Sequence, residues 1–489
     1  MIGGKLQAGV RWKAAAVRLA APLAAGLALA ASVALAGCAT SGGFMSSGHA
    51  TSAVSATAAT SKPGARPLAL PGVRFEPGDE PVRDSSALVS AAVATASLPV
   101  AARTSATRSA AAAPAASAPA AGGGEADPAT DARLFEVVPV LWATNRRATR
   151  EVASGSGAAY QPVAFGAERG DALVKGVARI TVPKAKRGFG AVPRPREVTL
   201  LSVHLYKQKE DPRTHFTVGE IRTLADAEFR ATAREILSGS EQFKGQCFLY
   251  VHGYRNSFED ALFRAAQMTV DMGFDGATLV YSWPSKGRLD GYLADRDSVD
   301  VSQPHFRRYL EEVNATSGCE RVHIVAHSLG ARLVVDAFFP AAGGGGDAAR
   351  TLDRLGQIVL ASPDIDAGLL KSRAAAIGTA TRSVTLYANG HDDALKWSRR
   401  FASGYTRAGD LAGGEPVVVA GIDTIDLTPM SKATWVFLGA NHNTYAEGRH
   451  VLQDIAMLMQ RGTRPPGRRF AVYRPIAGAG GTFWRYVAN

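Results

Sequence analysis

Apolar positions fall into three regimes along the 489-residue chain. Residues 19–36 are apolar except for Ser32, and the four cations Lys5, Arg11, Lys13 and Arg18 lie just before them. Residues 39–130 are Ala, Ser, Thr, Pro and Gly with almost no aromatic residue, so they carry no periodicity that a core could use. Regular patterns begin after about residue 133. Short apolar runs then alternate with stretches of helical spacing, the pattern of an α/β protein with a mostly parallel sheet. VVPVLWATNRR (137–147), VKGVARITVP (174–183) and VTLLSVHLYK (198–207) read as strands, and 223–237 as a helix. Cys247 to Val251 is a fully apolar strand. Beyond it, Phe258, Leu262, Ala265, Met268 and Met272 line one helical face. Ser257-x-x-Asp260 is a capping box at the start of that helix. Residues 276–285 form a strand that ends at Trp283-Pro284, and 383–388 form another.

The charge and the first regime change the picture only at the N-terminal end. The net charge is +12 and the sequence pI about 9.7. No zinc-finger spacing and no interleaving of aromatic with basic residues accompanies it, so no nucleic-acid partner is expected. A basic stretch, an apolar run and small residues have the layout of a signal peptide. It ends Leu35-Ala36-Gly37-Cys38, similar to a bacterial lipoprotein box, so Cys38 is the expected lipidation site and a lipid anchor the expected link to a membrane. Ala39 follows in place of Asp, which favours the outer membrane facing the periplasm. The expected organisation is a signal peptide at 1–37, a lipid-anchored linker at 38–130 and one domain at 131–489. Within that domain, 131–235 is an N-terminal β extension, 245–460 a catalytic core and 461–489 a basic tail. Cys247 and Cys319 lie near the starts of strands expected to be neighbours, where an oxidising compartment would allow a disulfide or leave two buried thiols.

The chemistry is concentrated at residues 321–340. Val322, Ile324 and Val325 form a strand, and from Leu329 the spacing becomes helical through Leu333 and Ala337. Ala326-His327-Ser328-Leu329-Gly330 stands between them, a nucleophile elbow with Ala in place of the first Gly. Small residues two before and two after the serine let strand and helix approach, which makes Ser328 the candidate nucleophile. The N–H groups of Leu329 and of Tyr254, after the His252-Gly253 pair, are the candidate oxyanion donors. His252 itself is expected to hold the turn. A serine needs a base and an acid, and the chain order Ser, acid, His leaves His391, His442 and His450. His450 lies within a helical pattern, and His391 directly precedes an Asp in the loop after 383–388. His442, in a loop before the last long helix, is the candidate base. Asp392 is the candidate acid, with Asp393, Asp364 and Asp366 as alternatives. No HExxH or phosphate-loop pattern is present, and neither metal nor cofactor is expected.

The stretches FLYVHGYRNSFEDALFRAAQ, LVYSWPSKGRLDGYLADRDS, VHIVAHSLGARL, IVLASPDID and NHNTYAEG, with VLWATNRR and FGAERG upstream, resemble a bacterial family of α/β-hydrolases of unknown function in the esterase and lipase superfamily. The resemblance covers roughly residues 135–460. It implies the α/β-hydrolase fold, with helices on both faces of the sheet, and fits His442 and Asp392 in their roles. It implies hydrolysis of a small-molecule or lipid ester through an acyl-enzyme. Acyl transfer to another acceptor, amide cleavage and a non-catalytic anchored scaffold remain alternatives. Residues 285–304 and 367–382 are candidate covers of the site.

Overall fold

The computed structural model describes residues 134–487 apart from 155–158, 185–186, 196, 201–202, 317, 339–353, 402–403, 412 and 432–441. Cys38, the leader and the linker lie outside the described residues.

The strands are β1 (Phe135–Ser154), β2 (Ala159–Pro183), β3 (Glu197–Leu200), β4 (Val203–Lys207), β5 (Thr217–Thr223), β6 (Gln246–Val251), β7 (Ala277–Ser282), β8 (Arg321–His327), β9 (Leu355–Ala361), β10 (Ser383–Ala388), β11 (Ile422–Asp426), β12 (Tyr473–Gly478) and β13 (Gly481–Tyr486). Eleven of them form one sheet in the order β12-β13-β11-β10-β9-β8-β6-β7-β1-β2-β5. From β1 to β11 across the middle of this order, every neighbouring pair is parallel. Antiparallel pairs occur only at the two ends, β1–β2–β5 and β12–β13. The fold is that of an α/β hydrolase, with the N-terminal extension built into the sheet.

The helices that matter to the site are α1 (Asp226–Ser238), α2 (Phe258–Met272), α3 (Tyr292–Thr316), α4 (Leu329–Ala337), α5 (Ala367–Ala380), α6 (Asp393–Phe401), α7 (Thr444–Glu447) and α8 (Arg449–Arg461). They cover both faces. Cys247, Leu249 and Val251 of β6 pack with residues of α1, α3, α4 and α5, whereas Phe248 and Tyr250 pack with α2 and α8. That is the period-two alternation of a strand buried on both sides. Helix α2 starts at the expected capping box: Ser257 Oγ accepts Asp260 N–H at 3.0 Å and Asp260 Oδ2 accepts Ser257 N–H at 3.0 Å. Its apolar face is fully buried through Leu262, Ala265 and Met268, and a large apolar side chain removed from water contributes about 1.5–3 kcal/mol.

Two expectations are corrected here. VTLLSVHLYK is not one strand of the sheet; β3 and β4 pair with each other as a separate two-stranded sheet. Residues 461–489 are more than a basic tail, because β12 and β13 extend the sheet beyond β11. Two of the arginines there act as counterions: Arg469 and Asp454 are both fully buried and doubly hydrogen-bonded, and Arg485 Nε is 2.7 Å from Asp426 Oδ2. A charge count along the sequence does not show which cations have buried partners.

Cys247 of β6 and Cys319, just before the adjacent strand β8, form a disulfide with Cα atoms 5.7 Å apart. It closes a loop of 72 residues. By the loop-entropy relation, replacing both cysteines with Ala should lower unfolding stability by about 4 kcal/mol. Denaturant unfolding of the two forms, each with and without reductant, checks this; a reductant-insensitive parent would contradict it.

Candidate active site

Ser328 stands between the end of β8 and the start of α4, with φ 54° and ψ −122°. This backbone region is costly for any residue with a Cβ, so it must be held from outside. The Ser328 N–H donates to Ala361 O at 3.0 Å, and its carbonyl accepts Asp364 N–H at 3.1 Å. The close approach on which the elbow depends rests on two glycines. A Cβ on Gly330 would lie 2.3 Å from His252 O, and one on Gly253 would lie 2.7 Å from Ser328 Cβ. Gly253 therefore sets the Tyr254 turn directly against the serine. Leu329 is the first residue of α4, where an N–H has no acceptor within the helix. Both candidate oxyanion donors thus belong to turns that touch at Ser328.

His442 precedes α7, and its Nδ1 is 2.7 Å from Asp392 Oδ2. Asp392 is fully buried in the loop between β10 and α6, and its other oxygen accepts Leu395 N–H at 3.1 Å. His442 Nε2 is buried and has no hydrogen-bond partner among the described residues. Burial pushes the His442 pKa down, but the charge and hydrogen bond of Asp392 outweigh it and leave the pKa above the usual value. Behind it, His327 Nε2 donates to the His442 carbonyl at 3.1 Å, and the two rings lie 4.4 Å apart. Burial, with the His442 charge beside it, drives the His327 pKa well below normal, so this ring stays neutral and acts as a donor.

The other candidates have different partners. Asp364 is held by Tyr292 Oη, Ser398 Oγ and Arg407 Nε at 2.8, 2.6 and 3.2 Å. Asp366 caps α5 through Leu369 N–H, and Asp393 pairs with Lys396. His391 Nδ1 faces Ser431 Oγ at 3.0 Å, and His450 lies against the ring of Tyr486. His252 is stacked on Trp283 and its pKa is pushed down to about 3, first by burial and then by Arg146. It holds a turn, as its place in the sequence suggests.

Ser328, His442, Tyr254 and Asp364 line one cavity of about 470 Å³, a volume suited to a small organic ligand. Gly287, Leu289 and Tyr292 of the 285–304 segment form part of its wall. The 367–382 segment is mostly α5, and among the described residues none of it lines the cavity.

Arg146, which motif reasoning left without a role, is buried beneath this site. Its guanidinium donates to Ser282 Oγ, Gly166 O, Ser285 O and Asn256 O at 2.9–3.2 Å. No carboxylate forms an ion pair with it among the described residues, and burial lowers its pKa to about 10. Asn256 in turn donates to the carbonyls of Gly253 and Tyr254. A residue of the N-terminal extension therefore fixes the turn that carries a candidate oxyanion donor. The only hint in the sequence was an arginine at the end of an apolar strand. Lysine cannot reproduce the planar fork. Arg146→Lys should lower the kcat of the site about a hundredfold with KM little changed, because a group beside the serine misplaced by about an ångström has a cost of that order. Steady-state kinetics beside a melting curve tests this; a proportionate loss through KM alone would contradict it.

Residues 227–461 match the family model described as alpha/beta hydrolase of unknown function (DUF900). Among solved structures, the chain is similar to a predicted CIB-like hydrolase from Thermoplasma acidophilum at 13% identity and a TM-score of 0.27, covering 45% of this chain and 88% of that one. It is also similar to the carboxylesterase CesB (YbfK) from Bacillus subtilis, at 13% identity and a TM-score of 0.25 over 45% and 85% of the two chains. A lipase-esterase related protein from Clostridium acetobutylicum gives 9% identity and a TM-score of 0.22 over 43% and 93%. Among curated proteins, none matches the chain significantly.

Proposed function

We propose, from the match of residues 227–461 to the model of an alpha/beta hydrolase family of unknown function, that the chain is a serine hydrolase of carboxylic esters. The observation that carries the proposal is the meeting of three groups. Ser328 on its left-handed elbow and His442 share one cavity, and His442 is hydrogen-bonded through Nδ1 to buried Asp392. Asp392 holds the proton on Nδ1, which leaves Nε2 as the base. Ser328 Oγ attacks the ester carbonyl and its proton passes to Nε2. The N–H groups of Leu329 and Tyr254 receive the oxyanion, each worth about 3 kcal/mol in sites of this kind. Nε2 returns the proton to the departing alcohol, and water then releases the acyl group by the same route.

The proposed setting is the cell envelope, with a lipid on Cys38 as the membrane link. The Cys247–Cys319 disulfide supports an oxidising compartment. Metabolic labelling with palmitate, lost in Cys38→Ser, tests the anchor. For the activity, the mature chain should react with a fluorophosphonate probe and hydrolyse p-nitrophenyl butyrate. Absence of both in a chain that melts cooperatively would sink the proposal.

A further inference from the structure

We propose that the cavity selects esters carrying an anionic group and that Arg255 is the residue that reads it; this rests on the ester-hydrolase reading and names its substrate class. The walls of the cavity differ in character. Leu289, Tyr292, Leu395 and Trp397 make one side largely apolar, while Arg194, Arg255 and Arg264 bring three cations to the cavity. Its two carboxylates are already engaged. Asp260 accepts Ser257 N–H and Arg194 Nη1, the latter at 3.0 Å, and Asp364 is held by Tyr292, Ser398 and Arg407. Arg264 donates to Gly190 O and Gln267 Oε1, and its nearest ion-pair partner, Glu447, is 3.8 Å away. Arg255 forms no ion pair and its side chain no hydrogen bond among the described residues, and it is exposed at the cavity. The cavity therefore holds positive charge that the protein itself does not neutralise, and a concave site concentrates the field of such charge.

The backbone at Arg255 points the same way. Its φ is 61°, a conformation in which glycine or asparagine would be cheaper. Its N–H is steadied by the buried Asp295 carboxylate at 3.4 Å. It directly follows Tyr254, a candidate oxyanion donor. A charge placed there meets a substituent a few bonds from the scissile carbonyl, with the apolar part of the substrate against Leu289 and Trp397. The fitting ligand is an amphipathic ester with a carboxylate or phosphate on its acyl or alcohol side.

The test is calorimetric binding to the mature Ser328→Ala chain, which reads recognition without turnover. One pair of ligands is 1-hexanoylglycerol-3-phosphate against 1-hexanoylglycerol; the other is monomethyl adipate against dimethyl adipate. The anionic member of at least one pair should bind about tenfold tighter, a gain of the size expected for a charge-assisted hydrogen bond. Which pair shows the preference identifies the side of the ester that bears the charge. The preference should vanish in Arg255→Gln, persist in part in Arg255→Lys and shrink with added salt. Arg255→Gly should melt no lower than its parent, since glycine suits this φ, so its loss of preference would not reflect misfolding. Equal affinities within both pairs, no binding of any of the four, or a preference that survives Arg255→Gln would overturn the inference. Anion binding without ester hydrolysis by the parent would instead count against the hydrolase reading alone.

Discussion

Asp392→Asn should lower kcat about ten-thousandfold while the chain stays folded. The carboxylate is fully buried and has two duties: Oδ1 accepts Leu395 N–H at the start of α6, and Oδ2 accepts His442 Nδ1–H. Asparagine can keep the first contact, but its amide then turns a donor toward Nδ1. The imidazole switches tautomer, its proton moves to Nε2, and the nitrogen facing the cavity can no longer take a proton from Ser328. The pH profile carries a second signature. The proposed mechanism needs neutral His442, so activity should fall as pH drops through the folded-state pKa, which lies above the usual histidine value. Without the Asp392 charge, burial, the largest influence on the ring, is opposed only by the weaker effect of Asp364 and lowers that pKa. The acid limb of kcat/KM should therefore move to lower pH in Asp392→Asn. Residual activity within tenfold of the parent, or an acid limb that stays in place, would remove Asp392 from the mechanism.

Ser328→Ala and Ser328→Gly should both lower kcat about a millionfold, as expected for loss of a nucleophile that acts as a unit with its base. Their stabilities should differ. Ser328 is the N-cap residue of α4, yet its side chain makes no capping hydrogen bond, so losing the hydroxyl removes no cap. The cost at this position is conformational, at φ 54° and ψ −122°. Alanine keeps that cost. Glycine removes it, and strain of this kind is worth about 1–3 kcal/mol. Part of the gain is offset by the greater freedom of glycine in the unfolded chain, which leaves Ser328→Gly more stable than Ser328→Ala by about 1 kcal/mol. Denaturant unfolding of the two inactive variants measures the difference directly. Equal stabilities would show that the elbow stores no strain.

The parts of this protein that were legible in the sequence are those set by local rules. The β8–Ser328–α4 unit could be read because strand and helix impose different periods on the apolar residues, and the change of period falls at Ala326-His327-Ser328-Leu329-Gly330. The capping box of α2 could be read for the same reason, since all its partners lie within four residues. Chain order in an elbow-type hydrolase narrowed the base and the acid to a few positions, and a mostly parallel sheet followed from the alternation of strands with helices. Only the tertiary structure decided what depends on residues distant in the chain. Asp364 and Asp392 both follow strands, and the sequence favoured Asp392 while leaving Asp364 as an alternative. In the structure Arg407, Ser398 and Tyr292 converge on Asp364, and His442 on Asp392. Arg146 looks like the polar end of a strand until β1, β7 and the Tyr254 turn close around it. The C-terminal arginines read as surface charge until Asp426 and Asp454 are found buried against them. Periodicity encodes which face of an element is apolar. The pairing of buried charges depends on which elements meet, and the packing of the whole sheet settles that.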